Sequence, residues 1–170
     1  MTKYLLLLAA LMLVAGCGND PVDKDPVDDN SQPDIDTTPE WTTYAGLEWS
    51  TLSENKIKWQ KAIDYCEAMD ARLPNINELR KIIINCPNTE YGGACEMSDP
   101  DCLEDRCWSE DCGCDGSAES YSALGDSKSI WLWSSSSYVD SMNGAWVVSF
   151  DDGSINGNGK DSIHHARCVR

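Results

Sequence analysis

Residues 41–170 are predicted to form an α+β domain, and three observations carry that reading. Two helix-like apolar stripes stand early, at 58–70 and 75–85. Strand-like runs follow late, at 130–133, 145–150 and 162–169. All seven tryptophans lie beyond residue 40, so the core must be built there. Early helices followed by antiparallel strands give α+β, since an α/β sheet needs the two to alternate. About 130 residues suffice for a single hydrophobic core.

Each element has its own local reason. Gly46-Leu47-Glu48-Trp49-Ser50 alternates briefly and reads as a first strand. Trp59, Ala62, Ile63, Cys66 and Met69 recur at helical spacing, predicting a helix from about Lys58 to Asp70. Its start lacks a good cap, because Ile57 and Lys58 precede Trp59. After Ala71-Arg72-Leu73-Pro74, Asn75 is the N-cap of a second helix, and Glu78 stands where a capping box needs it. Ile76, Leu79, Ile82 and Ile83 form its apolar face, and Asn85 to Pro87 ends it. Ile130–Trp133 and Ala145–Phe150 are strands, Asp151-Asp152-Gly153 a tight turn, and Ser162–Val169 a closing strand.

Composition narrows the setting. The chain has 170 residues, with 13 basic against 29 acidic side chains and a net charge of −16. That balance argues against nucleic acid as a partner. Nine cysteines are too many for a reducing cytosol unless they hold a metal, so the protein is expected to be exported and disulfide-bonded. Leu5–Gly16 is an apolar run of 12 after Lys3, too short to span a bilayer, for which about 20 residues are needed. It reads as a signal peptide over residues 1–16. Val14-Ala15-Gly16-Cys17 resembles a bacterial lipobox, which makes Cys17 the lipid-attachment residue and the membrane a partner through that anchor. Gly18 after the cysteine fits an outer-membrane, Gram-negative cell-envelope location. Residues 17–40 hold eight acids, four prolines and Lys24 as the single base, the composition of a disordered tether.

At this point a family resemblance becomes specific. Gly46-Leu47-Glu48-Trp49, the helix around Trp59–Cys66, Arg72-Leu73-Pro74-Asn75-Ile76-Asn77-Glu78-Leu79, Trp133–Ser136, Val147–Gly153 and the closing Arg167-Cys168-Val169-Arg170 resemble, in order, the blocks of the Lcl C-terminal-like family. This is an exported bacterial family, long called a domain of unknown function and similar to C-type-lectin-like and sulfatase-modifying-factor folds. The resemblance implies a C-type-lectin-like form of the α+β fold. It also implies a disulfide from Cys66, on the first helix, to Cys168, on the last strand.

An insertion, residues 86–126, interrupts the blocks. It carries Cys86, Cys95, Cys102, Cys107, Cys112 and Cys114, together with eleven acidic residues and Arg106 as its single base. Six cysteines allow 15 pairings, and the tight Cys112–Cys114 ring is disfavoured, which leaves 12 open. The segment reads as a small knob with three disulfides, because a loop of this length without a hydrophobic run needs covalent staples. Zinc fits poorly, since the spacings do not form Cys-x2-4-Cys pairs. Calcium is the better metal candidate, through Asp99, Asp101, Glu104, Asp105, Asp111 and Asp115. A solvated acidic loop is preferred over it, since no calcium-loop register is present.

Catalytic patterns are weak. His164 and His165 face opposite ways if they lie on a strand. Ser134–Ser137, at a strand end, contains no nucleophile elbow. Trp49, Trp59, Trp133 and Trp146 are expected in the core, whereas Trp41, Trp108 and Trp131 are freer, with Trp108 the candidate to stack on a ligand. The expectation is a non-catalytic recognition or adhesion module for a protein or a glycan, with no catalytic residue and no cofactor beyond calcium. An enzyme or accessory related to sulfatase-modifying factors and a structural envelope lipoprotein are the alternatives.

Overall fold

A two-residue turn starts the fold. Ala45 and Gly46 both have positive φ, 50° and 82°, the conformation of a tight hairpin turn. They join β1 (Trp41–Tyr44) to β2 (Leu47–Ser50), with Trp41 opposite Ser50. The sequence pattern reveals only the second of these strands. The structure, a computed structural model, describes residues 40–170. The signal segment, Cys17 and the tether to residue 39 lie outside the described residues. Glu40, assigned to the tether by composition, already joins the fold, since its carbonyl accepts the Thr51 N–H at 3.1 Å.

Helix α1 (Trp59–Glu67) has Lys58 at its N-cap with no side-chain cap, as the local sequence implies. It ends before Met69, and Asp70 turns the chain at φ 51°. Helix α2 (Ile76–Lys81) opens with the full capping box, Asn75 accepting the Glu78 N–H and Glu78 accepting the Asn75 N–H. It is shorter than its apolar stripe suggests. Ile82 is the C-cap, and Ile83 leaves the helix to bridge Ser122.

Strands β3 (Trp131–Ser137), β4 (Gly144–Ser149) and β5 (Ile155–Gly159) form an antiparallel sheet in that order. Ser134–Ser137 therefore forms the C-terminal end of β3, across a register shift between Trp133 and Ser137. The expected closing strand 162–169 is not a regular strand. It makes single bridges in turn with Ile57, Leu132, Arg72 and Trp49, because it crosses several elements and runs beside none. Its far end still pairs the two ends of the fold, with Glu48 and Arg170 exchanging backbone hydrogen bonds of 3.1 Å each way.

Strand β4 is buried at every position, which is why it reads as a continuous apolar run and does not alternate. Ala145 and Val147 pack with Ala62, Cys66, Leu73 and Trp133 under α1. Trp146 and Val148 pack with Ile76, Leu79 and Ile82 of α2 on the other face. The Cys66–Cys168 disulfide is present inside the first of these clusters, with a Cα–Cα distance of 5.3 Å.

The insertion departs most from expectation. Its cysteines pair as Cys86–Cys114, Cys95–Cys112 and Cys102–Cys107, a nested set. It is not a separate knob, since Cys86, Cys95, Met97, Cys107, Cys112 and Tyr121 are buried in the α2-side core. The insertion thus completes one face of the sheet with scattered single residues and covalent links, which no run of hydrophobic sequence announces.

Two buried charges fasten it. The Arg80 guanidinium, on α2, donates to the carbonyls of Thr89 (2.9 Å), Met97 and Glu90 (3.0 Å). Burial draws its pKa down from the usual guanidinium range. At the far end Asp126, with its side chain 2% exposed, pairs with Arg167, 12% exposed. Arg167 Nε donates to both carboxylate oxygens at 3.1 Å, and Ser122 Oγ donates to Asp126 at 2.9 Å. Asp126 counts as one more acid of the insertion by composition, yet it is an internal tie.

Candidate functional site

The site is assembled around Trp108. Cys102–Cys107 holds the turn before it, and Cys95–Cys112 and Cys86–Cys114 fix the segment after it. That segment lies against the β4–β5 turn. The Cys114 N–H donates to the Asp152 carbonyl at 2.8 Å, and Gly113 packs so closely that an added Cβ would stand 3.2 Å from the Ser154 Cβ. Trp108 Nε1 donates to the Ile155 carbonyl at 2.7 Å. Its ring is therefore set in place while 45% of the residue stays exposed, the combination of fixed polar tip and open face that suits stacking.

Beside the ring is a groove of about 480 Å³ lined by Trp108, Ser109, Glu110, Asp115, Asp152, Ser154 and Asn156, among others. Its charged lining is wholly acidic: Glu110, Asp115 and Asp152, with no base. Asp152 Oδ1 accepts from the Ser154 N–H (3.1 Å) and hydroxyl (2.7 Å), which orients that carboxylate. Ser154 Oγ in turn accepts from Asn156 Nδ2 at 2.7 Å. The Ser117 hydroxyl and backbone N–H hold the Asp115 carboxyl below the usual carboxylate range. The local sequence marks Asp152 only as part of a hairpin turn and gives Asn156 no role. The turn signal was correct, but nothing local says that the insertion lies against it.

The six calcium candidates are not brought together. Asp99 is tied through its backbone to the Asn77 side chain and accepts a hydrogen bond from the Ser136 hydroxyl. Glu104 pairs with Arg106, and Asp105 accepts from the Tyr138 hydroxyl, whose pKa is pushed up to about 12 by that bond. Asp101 and Asp111 are exposed elsewhere on the insertion, and Asp115 faces the Trp108 groove. Among the described residues no three His, Cys, Asp or Glu side chains are grouped to hold a metal ion.

The histidines also separate. His164 stacks on Trp131 at 5.7 Å and meets Trp133 edge-on at 4.6 Å. Burial, with Lys56 and His165 nearby, lowers its pKa to about 4. His165 Nδ1 lies 3.0 Å from the Ser53 carbonyl. All eight cysteines of the described residues are in disulfides. Trp49, Trp133 and Trp146 are buried, while Trp41, Trp59 and Trp131 are half-buried. No helix among the described residues is long and apolar enough to cross a membrane.

Arg72-Leu73-Pro74…Glu78 has a structural purpose. Burial would raise the Glu78 pKa, but the Arg72 guanidinium at 2.7 and 2.6 Å and the Asn75 N–H outweigh it and hold the carboxyl low. One block thereby orients the turn, caps α2 and pairs its own charges. The model of the Lcl C-terminal domain matches residues 34–170, most of the chain and all of these blocks. The chain belongs to the Lcl C-terminal domain family. No curated protein matches it. In this Lcl C-terminal domain the matched blocks build the framework, and the groove arises where the insertion meets the β4–β5 turn.

Proposed function

We propose that this Lcl C-terminal domain is a non-catalytic recognition or adhesion module of the bacterial cell envelope, binding a protein or glycan ligand at the Trp108 groove. One observation carries the reading: an exposed aromatic face, oriented by its own hydrogen bond, beside a groove whose polar groups are held by side-chain contacts and disulfides. Such preorganisation lowers the ordering cost of binding. The backbone pairing of Glu48 with Arg170 and the Cys66–Cys168 link support a C-type-lectin-like form of the α+β fold. Cys17 would anchor the chain by lipid, with residues 18–39 as spacer, at the outer membrane of a Gram-negative cell. The pairing of all eight described cysteines favours recognition over the thiol chemistry of sulfatase-modifying enzymes.

The test uses the full chain with Cys17→Ser, offered to arrays of glycans and purified envelope proteins. A ligand whose binding is lost in Trp108→Ala and kept in Trp41→Ala is the expected result. Flat arrays would leave a structural envelope role, and thiol-dependent turnover of a substrate would establish an enzyme.

A further inference from the structure

The groove can be read further, toward the chemistry of its ligand, on the premise that this domain is a recognition module. Three carboxylates, Glu110, Asp115 and Asp152, line it with no base among the lining residues, and the one aromatic face in it belongs to Trp108. An aromatic face flanked by carboxylates suits a cation, since the ring quadrupole and the negative charges attract the same group. A neutral sugar would use the ring but leave the carboxylates without opposite charge.

The wall of the groove identifies the carrier of that cation. Strand β5 is an edge of its sheet, paired with β4 alone. Ser149 donates to the Ser154 carbonyl, so Asn156 and Asn158 bond inward to β4 while Ile155, Gly157 and Gly159 turn their backbone groups outward. Trp108 takes the outward carbonyl of Ile155, and Ser162 takes that of Gly159. Gly157, exposed and without a side chain, presents both its N–H and its carbonyl between them. At that one position the edge can exchange a pair of backbone hydrogen bonds with an extended peptide.

We infer that the Trp108 groove receives a lysine or arginine side chain from an extended basic peptide of a partner protein, whose backbone pairs with the outer edge of β5 at Gly157. Asn156, next to Gly157 and lining the groove, places the two contacts within one residue of each other. The chain's own leading segment is a poor occupant, because eight acids against Lys24 over residues 18–40 repeat the charge of the groove.

The experiment titrates the full chain, carrying Cys17→Ser, with an acetylated octapeptide of alternating lysine and threonine, followed by calorimetry and by the Gly157 amide resonance. A glutamate–threonine octapeptide and a glucosamine tetramer are run beside it. The lysine peptide is expected to bind, shift the Gly157 amide and weaken severalfold between about 50 and 300 mM salt, while the glutamate peptide does not bind. Trp108→Ala should weaken it about tenfold, from loss of the cation–π contact. Gly157→Pro removes the outward N–H and not a β4 bond, so it should weaken binding severalfold with an unchanged urea midpoint. Glu110→Gln, an isosteric change at an exposed position, leaves the packing untouched and should also weaken it. Binding that ignores all three changes is adsorption to an acidic surface and overturns the proposal. Self-association through this edge, seen as a concentration-dependent mass lost in Gly157→Pro, overturns it as well. Tighter binding of the glucosamine tetramer, lost in Trp108→Ala, refutes the peptide but keeps the recognition module. No binding of any probe or array ligand removes both.

Discussion

The Cys66–Cys168 disulfide should be the largest covalent contributor to stability, and its effect can be set against an internal control. It closes a sequence separation of 102 residues, whereas Cys102–Cys107 closes 5. In the chain-entropy model the long loop is worth about 4.7 kcal/mol and the short one about 2 kcal/mol. The nested Cys86–Cys114 link shortens the effective long loop by some 28 residues, which lowers its share by only about 0.3 kcal/mol because the dependence is logarithmic. Cys66 and Cys168 are also wholly buried among Ala62, Leu73, Trp133 and Val147, so replacing both by alanine adds about 1 kcal/mol of lost packing. The double alanine variant at 66 and 168 should thus lose about 5 kcal/mol, and that at 102 and 107, where Cys107 alone is buried, about 2–2.5 kcal/mol. Urea unfolding of the full Cys17→Ser chain, followed by tryptophan fluorescence, reads this as midpoint shifts of about 3 M and about 1 M, for a slope near 1.7 kcal/mol/M. Equal losses, or a larger one from the short loop, would refute the loop argument and make packing of the insertion the governing effect.

Other outcomes follow from single contacts. Asp126→Asn strands the Arg167 guanidinium in a buried setting and should cost about 3 kcal/mol or more, while pairing Asp126→Leu with Arg167→Met restores part of it; a double-mutant cycle in urea measures the coupling. His164 is neutral in the fold with a pKa of about 4, so its contribution is complete above the unfolded value near 6.5 and is lost as pH falls from there to about 4. For a half-buried ring screened by solvent this amounts to about 1–2 kcal/mol, and unfolding curves at pH 7 and pH 4.5 should differ by that much less in His164→Phe. Gly153 has φ 65°, and an added Cβ would stand 3.0 Å from the Cys86 Cβ. Gly153→Ala should therefore destabilise by about 2–3 kcal/mol, and a loss under about 0.5 kcal/mol would show that the turn and its disulfide relax freely.

Local chemistry made much of the framework legible. The capping box at Asn75 and Glu78, the uncapped start at Lys58 and the apolar run of β4 all depend on residues a few positions apart, and each is found where its pattern places it. Trp41-Thr42-Thr43-Tyr44 consists of strand-forming residues but does not alternate, so only its pairing across the Ala45-Gly46 turn identifies β1. Residues 162–169 have strand-like composition but form no regular strand, because they meet a different neighbour at each bridge.

From the sequence alone came the α+β order, the family, the expectation of oxidised cysteines and the concentration of net negative charge in the leading segment and the insertion, the remaining framework balancing its acids with bases. Those features live in composition and in spacings of a few residues. Only the tertiary structure chose one of twelve cysteine pairings, took Asp126 out of the acidic loop to meet Arg167, and set Arg80 against three carbonyls of the insertion. It also placed Trp108 beside Asp152 and Asn156, more than forty residues away in the chain. The physical reason is common to all of these. A cap or an apolar stripe is decided by the chain's own helical or extended geometry, whereas a disulfide, a buried ion pair or a groove exists only once distant segments have been packed into contact.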